Sequence, residues 1–213
     1  MPHRRPGRAG VHGRSRVTDA GVVLSDGAVA DAEAMEALGR RLARLLRAGD
    51  LLVLTGPLGA GKTTLTRGVG EGLQVRGQVA SPTFVLARTH PSASGVPLVH
   101  VDAYRLGGAA ELDDLDLDFD GSVVVVEWGA GLLDGVAASW LDVVIERPTG
   151  AGGAVPGAGV GHAPDASDAS DASDGPDADD PDAGDPDASL DEPRRVTITA
   201  HGPRWAGVTL PSS

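Results

Sequence analysis

The apolar residues of the chain fall into two kinds of run. From Asp31 to Ala48, Met35, Leu38, Leu42, Leu45 and Leu46 recur at three- and four-residue spacing, while Arg40, Arg41, Arg44 and Arg47 fall mostly elsewhere. That is the stripe of an amphipathic helix, with Gly49 as the stop signal behind it. Leu51-Leu52-Val53-Leu54-Thr55 is instead an unbroken apolar run closed by a turn signal, as expected of a strand buried on both faces. Runs of the same kind occupy Phe84 to Ala87, Leu98 to Val101, Val123 to Val126, Leu141 to Ile145 and Val196 to Thr199. Lys62 to Leu73 predicts a helix between the first two. Short strands alternating with helices or long connections predict a three-layer α/β domain with right-handed crossovers. The late strands, joined by short links, are candidates for antiparallel pairing.

Two stretches have no such periodicity. Residues 1–17 hold Arg4, Arg5, Arg8, Arg14 and Arg16 and no acid, in a Pro- and Gly-containing context. They read as a disordered basic arm. Residues 149–193 are built mainly of Ala, Gly, Pro, Ser and Asp, with Val155, Val160 and Leu190 as their only large aliphatics. Too little apolar surface is available there to offset the entropy of ordering, so a disordered insertion is expected. The ordered domain is then 18–148, completed by a final strand in 194–213.

Charge changes meaning once it is located. The 213 residues carry 18 basic and 30 acidic side chains, a net charge of -12. The insertion alone has eleven Asp, one Glu and neither Lys nor Arg, so it holds all of the excess and the rest of the chain is neutral. No basic face for DNA is expected, yet overall acidity does not exclude a role at nucleic acid. The chain has no cysteine, which excludes disulfide scaffolds, thiolate metal sites and CxxC redox chemistry. No apolar run approaches the roughly 20 residues of a membrane helix, and the arginine-rich start has no apolar segment behind it. No membrane association and a cytoplasmic location are expected.

The first chemistry lies at Gly56-Pro57-Leu58-Gly59-Ala60-Gly61-Lys62-Thr63, which matches GxxxxGK[ST] between a predicted strand and a predicted helix. Glycines let successive backbone N–H groups turn inward around phosphates, and the helix N-terminus adds partial positive charge. Lys62 would bridge the outer phosphates, Thr63 would place its hydroxyl on Mg2+, and Thr64 would reach the inner phosphate. Gly59, Ala60 and Gly61 supply the cradle. Lys62 is the only lysine among 18 basic residues, where a compact point charge must fit inside a loop of amides.

A phosphate loop needs a nearby acid, because phosphates alone hold magnesium loosely and the attacking water must be oriented. Val123 to Val126 ends in Glu127, and Leu98 to Val101 ends in Asp102. Parallel strands would deliver both to the edge that carries the phosphate loop. For each, a carboxylate that merely caps the next turn is the plainer alternative. Ser81-Pro82-Thr83 precedes a strand with two hydroxyls exposed, and reads equally as a γ-phosphate-sensing switch or as a turn. His100 alternates with Asp102 in the strand pattern and is read as packing. Trp128 reads as a shield for the site, a partner anchor or a partly buried tryptophan.

Leu58-Gly59-Ala60-Gly61-Lys62-Thr63-Thr64, Ser81-Pro82-Thr83-Phe84, His100-Val101-Asp102-Ala103-Tyr104-Arg105-Leu106 and Val126-Glu127-Trp128 together resemble, in order and spacing, the TsaE family of small bacterial P-loop ATPases. The likeness spans about Asp31 to Arg147 and Arg194 to Trp205. It implies a P-loop NTPase-like α/β fold, three-layered, with a mixed, mainly parallel sheet flanked by helices, binding ATP and Mg2+. It implies Lys62, Asp102 and Glu127 as catalytic residues, with Thr63 and Glu127 holding the metal and Asp102 assisting at metal or water. It further implies work with TsaB-like and TsaD-like proteins in threonylcarbamoyl modification of adenosine 37, in tRNAs reading codons that begin with A. The tRNA would be met only through that complex, with hydrolysis resetting it between turnovers. Ala103, where the family has a larger apolar residue, and Met35, near a family threonine beside the adenine, depart from the pattern. Two other functions share the loop. A small-molecule or nucleotide kinase would need a lid, whereas Arg67, Arg76, Arg88 and Arg105 are scattered between Leu65 and Ser122. A nucleotide-dependent switch with negligible hydrolysis would need no more than the present motifs.

Overall fold

A computed structural model describes residues 21–82, 85–106, 111, 114–115, 117–131, 137–147 and 192–211. The basic arm and nearly all of the insertion lie outside the described residues. So do Thr83 and Phe84.

In chain order the elements are β1 (Val22–Val29), α1 (Ala32–Ala43), β2 (Leu51–Thr55), α2 (Lys62–Gly72), β3 (Ala87–His90), β4 (Leu98–Asp102), β5 (Val123–Glu127), β6 (Trp140–Glu146) and β7 (Arg194–His201), with 3-10 turns at Ala103–Arg105 and Pro203–Trp205. One seven-stranded sheet has the order β1-β7-β6-β2-β5-β4-β3. Its centre, β6-β2-β5-β4, is parallel, and β3, β7 and β1 add antiparallel pairs at the two sides. The sheet is therefore mixed and mostly parallel, as the sequence implies. The antiparallel link among late strands is β6 with β7; β6 itself runs parallel to β2.

Both described helices lie on one face. Met35, Leu38 and Leu42 of α1 and Leu65, Val69 and Leu73 at α2 share a core with Leu52, Leu54, Leu98, Val123, Val125, Leu141, Val143 and Ile145. The alternate strand residues Leu51, Val53, Val99, Val101, Val124 and Val126 face the other way, where Leu106, Leu115, Leu117 and Phe119 cover them. These covering residues belong to the connection between β4 and β5. Because β2, β4 and β5 bury both faces, they read as continuous apolar runs.

Three boundaries differ from the sequence pattern. β1 has no clear signature, because Ser25, Asp26 and Gly27 interrupt its alternation and a bulge falls between Val23 and Ser25; pairing with β7 makes it a strand. α1 begins at Asp31, whose carboxylate accepts the Ala34 N–H at 2.8 Å, but stops at Ala43. Leu45 and Leu46 continue the stripe without the helix and still pack on the core. The strand expected at Phe84 to Ala87 lies instead at Ala87–His90. Val85 and Leu86 both donate to the Pro82 carbonyl at 2.9 Å, and Leu86 takes φ +64°, which turns the chain before it extends.

Glycines set how closely the helices meet. A Cβ at Gly39 would strike the backbone of Leu65, one at Gly68 the backbone of Glu36, and one at Gly72 the Cβ of Ala43. Gly68→Ala should therefore destabilise the fold by roughly 1–3 kcal/mol, the usual range for overpacking a tight contact, seen as a lower urea midpoint at unchanged slope. An unshifted midpoint would show that the helices can separate freely. The insertion is also testable, since Glu146 at the end of β6 pairs with Arg195 at the start of β7. The chain leaves and re-enters at adjacent points of one antiparallel ladder, a gap that a short hairpin turn closes. Replacing residues 149–191 with such a turn should leave cooperative thermal unfolding and its midpoint within a few degrees of the full chain.

Candidate functional site

The loop between β2 and α2 is shaped by its glycines. Gly59 and Gly61 take φ of +68° and +101°, in the left-handed region where a side chain is strained, and Gly61 caps α2. A Cβ at Gly56 would meet the Ile145 backbone at 2.5 Å, so the loop also starts where only glycine fits. The first N–H groups of α2 have no carbonyl within the helix to bond, and they carry the positive end of its dipole.

Lys62 is the first residue of α2 and only 5% exposed. Its Nζ donates to the carbonyls of Gly56 and Pro57, both at 3.0 Å, and sits 3.9 Å from the centroid of the Trp128 ring. Burial lowers its pKa from the usual lysine value, while the charges of Glu127 and Asp102 push it back up. The ammonium is thus held in place with donor capacity turned to the loop interior.

Both carboxylates reach the same edge as the loop. Asp102 and Glu127 end β4 and β5 as register partners, and Glu127 pairs with Leu54 on the other side. Each is about 95% buried. Thr63 Oγ1 donates to Glu127 Oε1 at 3.0 Å. Asp102 Oδ1 accepts the Tyr104 N–H at 3.0 Å, so this acid does cap the following turn while also lining the cleft. The cleft encloses about 450 Å³ and is lined by Gly59, Ala60, Gly61, Lys62 and Thr63 together with Ser81, Asp102, Tyr104, Glu127 and Trp128, besides Leu58 and Arg67.

The residues singled out in the sequence are therefore largely brought together. Thr64 is buried in α2 and does not line the cleft, and Pro82 is buried behind Ser81. Thr83 lies outside the described residues. Met35 is wholly buried in the core, so it has no face to offer a base. Trp128 covers Lys62 and packs on Tyr104 with ring centroids 5.3 Å apart, which makes it a wall of the site. The sequence pattern missed His100, whose Nε2 lies 2.8 Å from Glu127 Oε1. Alternation places it on the face of Asp102, but the contact crosses to another strand and leaves no local signal.

The donor set suits Mg2+ shared with a nucleotide. Magnesium is held by one or two carboxylates plus phosphate oxygens and water, not by an all-protein cage. Here one hydroxyl and a carboxylate adjoin, a second carboxylate lines the same cleft, and no group of three or more His, Cys, Asp or Glu able to hold a metal occurs among the described residues. No helix among them is long and apolar enough to cross a membrane.

Comparison with known proteins identifies the family. A sequence model of the family described as threonylcarbamoyl adenosine biosynthesis protein TsaE matches residues 29–151. The chain is 49% identical over 176 residues to a Streptomyces coelicolor protein named tRNA threonylcarbamoyladenosine biosynthesis protein TsaE, covering 81% of this chain and 94% of that one. It is 38% identical over 116 residues to a Bacillus subtilis protein of the same name, covering 54% and 73%. The crystal structure of Bacillus subtilis YdiB superposes with a TM-score of 0.55 at 28% identity, covering 87% of this chain and 91% of that one. With the phosphate loop, the two strand-end carboxylates and the mixed sheet all in place, the chain belongs to the TsaE family.

Proposed function

We propose that this chain binds ATP with Mg2+ in the cleft above α2 and hydrolyses it in support of tRNA threonylcarbamoyladenosine formation, acting with TsaB-like and TsaD-like partners. The observation that carries the ATPase part is the meeting of Thr63 Oγ1 with Glu127 Oε1 at 3.0 Å, beside Asp102 and over a loop that buries a lone lysine. The family membership and the names of the relatives support the pathway.

The residues divide the work by charge and position. Loop N–H groups and the α2 terminus bind phosphate oxygens, and Lys62 donates to the outer ones. Thr63 and Glu127 would hold Mg2+, which when bound neutralises charge on the phosphates. Asp102 keeps Oδ1 on the Tyr104 N–H, leaving Oδ2 to orient the attacking water. Trp128 and Tyr104 narrow the access of other water. Ser81, in the cleft wall, is tied to this chemistry through its turn, because the Asp102 N–H donates to the Leu86 carbonyl at 2.8 Å. That coupling suits a switch segment responding to the terminal phosphate.

Phosphate release from ATP, measured for the chain alone and with both partner proteins, tests the reading. Slow release stimulated by the pair is the expected result; no stimulation would remove the partner assignment, and phosphate appearing on a small acceptor would make the chain a kinase. Lys62→Ala removes a charge-assisted contact worth about 1.5–3 kcal/mol, so ATP affinity should fall on the order of 10- to 100-fold by calorimetry. Glu127→Ala should retain ATP binding in EDTA yet lose both the magnesium dependence of binding and turnover. Normal turnover in that variant would refute the metal assignment.

A further inference from the structure

His100 is fully buried, at 0% exposure, in the middle of β4. Strand alternation puts it on the same face as Leu98 and Asp102, under α2, and one residue pair away from the carboxylate edge. Its ring crosses to β5, where Nε2 lies 2.8 Å from Glu127 Oε1. The same oxygen accepts the Thr63 hydroxyl. Both contacts therefore converge on Oε1, and the Glu127 carboxylate has no other hydrogen bond among the described residues, so Oε2 remains for a ligand.

A second observation separates this from simple packing. His100 Nδ1 is buried with no hydrogen-bond partner among the described residues. Leaving a buried polar atom unpaired carries a desolvation penalty that an aliphatic residue in the same space would not incur. A group retained at such a cost calls for an explanation beyond filling volume. The tautomer follows from the surroundings: a proton on Nε2 faces the carboxylate and leaves Nδ1 as a bare acceptor, whereas a proton on Nδ1 would bury a donor with nothing to receive it and set a lone pair against Glu127.

We propose that His100 is a positioning residue for the metal-binding carboxylate, its Nε2–H fixing Glu127 Oε1 so that Oε2 is presented to Mg2+ in the cleft. The inference rests on the Mg2+–ATP reading above. A glutamate has three side-chain torsions, and a buried hydrogen bond that holds one oxygen removes most of that freedom before the metal arrives. Thr63 holds the same oxygen from α2 and can keep donating its O–H while a lone pair meets the metal, so His100 adds a second, ring-fixed donor from β4. Lys62 gives two of its three N–H groups to the Gly56 and Pro57 carbonyls and does not hold Glu127 by a hydrogen bond.

The test uses the full-length chain and its His100→Leu and His100→Gln variants, with ATP affinity measured by calorimetry in magnesium chloride and again in EDTA. Gln keeps an N–H donor at about the reach of Nε2; Leu keeps volume only. The expected result is that Leu leaves the EDTA affinity unchanged but loses roughly 10-fold or more of the gain from magnesium, and that Gln restores most of it. A full magnesium gain in the Leu variant overturns the proposal. So does an equal loss in EDTA that Gln does not rescue, since that marks a purely structural residue. If the unsubstituted chain shows no gain from magnesium, the Mg2+–ATP reading itself falls, and this inference with it. Should the Leu variant fail to fold, nitrogen NMR of the unsubstituted chain decides: a proton on Nε2 whose signal moves on adding magnesium and ATP supports the assignment, and a proton on Nδ1 overturns it.

Discussion

The parallel pairing of β2, β5 and β4 is the constraint on which the site depends. Register places Glu127 opposite Leu54 on one side and Asp102 on the other, so three strands end at one edge within a single step of each other. Parallel strands cannot be joined by tight turns, and their connections must cross a face of the sheet. The first of these crossovers is the phosphate loop with α2, which is why the loop opens beside both carboxylates. The same arrangement explains the continuous apolar runs: strands covered on both faces have no polar face to show, and only their final residues are released to carry charge.

Burying that charge next to a lysine is sustainable because the partners are preassembled. Lys62 loses hydration, which lowers its pKa, yet it gains two carbonyl acceptors, an aromatic face and the opposing field of Glu127 and Asp102. An arginine would place a planar five-donor fork there instead of a compact point charge with three rotatable donors. α2 must also be held at fixed height over the sheet for the loop to keep its shape. The backbone contact of α1 with α2 through Gly39 and Gly68 provides this, and it links a helix outside the cleft lining to the geometry of the cleft.

How much was legible follows from how local each cause is. The phosphate loop is a run of eight adjacent residues whose conformation is dictated by its own glycines, so sequence alone located it. Glu127 and Asp102 were legible because an apolar run ending in an acid is a local pattern. β1 was not, because its eight residues acquire strand character only from β7, which lies more than 160 residues later. The end of α1 is not legible, because Leu45 and Leu46 continue the apolar stripe and pack on the core without being helical. His100 looked like one more inward residue of β4. Its distinguishing partner is 27 residues away, and nothing in either segment by itself announces the contact.

Backbone strain completes the picture of how the two carboxylates are fixed. Three non-glycine residues among those described adopt φ in the left-handed region: Gln74, which ends α2, and Leu86 and Trp128. The last two are each bonded to the carboxylate edge. Leu86 offers its carbonyl to the Asp102 N–H at 2.8 Å, and Trp128, directly after Glu127, donates its own N–H to the Leu54 carbonyl at 3.0 Å. Such conformations cost of order 1–3 kcal/mol and persist only where surrounding contacts over-determine them. At Trp128 the contacts are the backbone bond to β2 and the ring over Lys62; at Leu86 they are the turn around Pro82 and the bond to β4. Each acid is therefore bonded to, or directly followed by, a strained residue locked to a neighbouring strand, which fixes the backbone at the carboxylate edge.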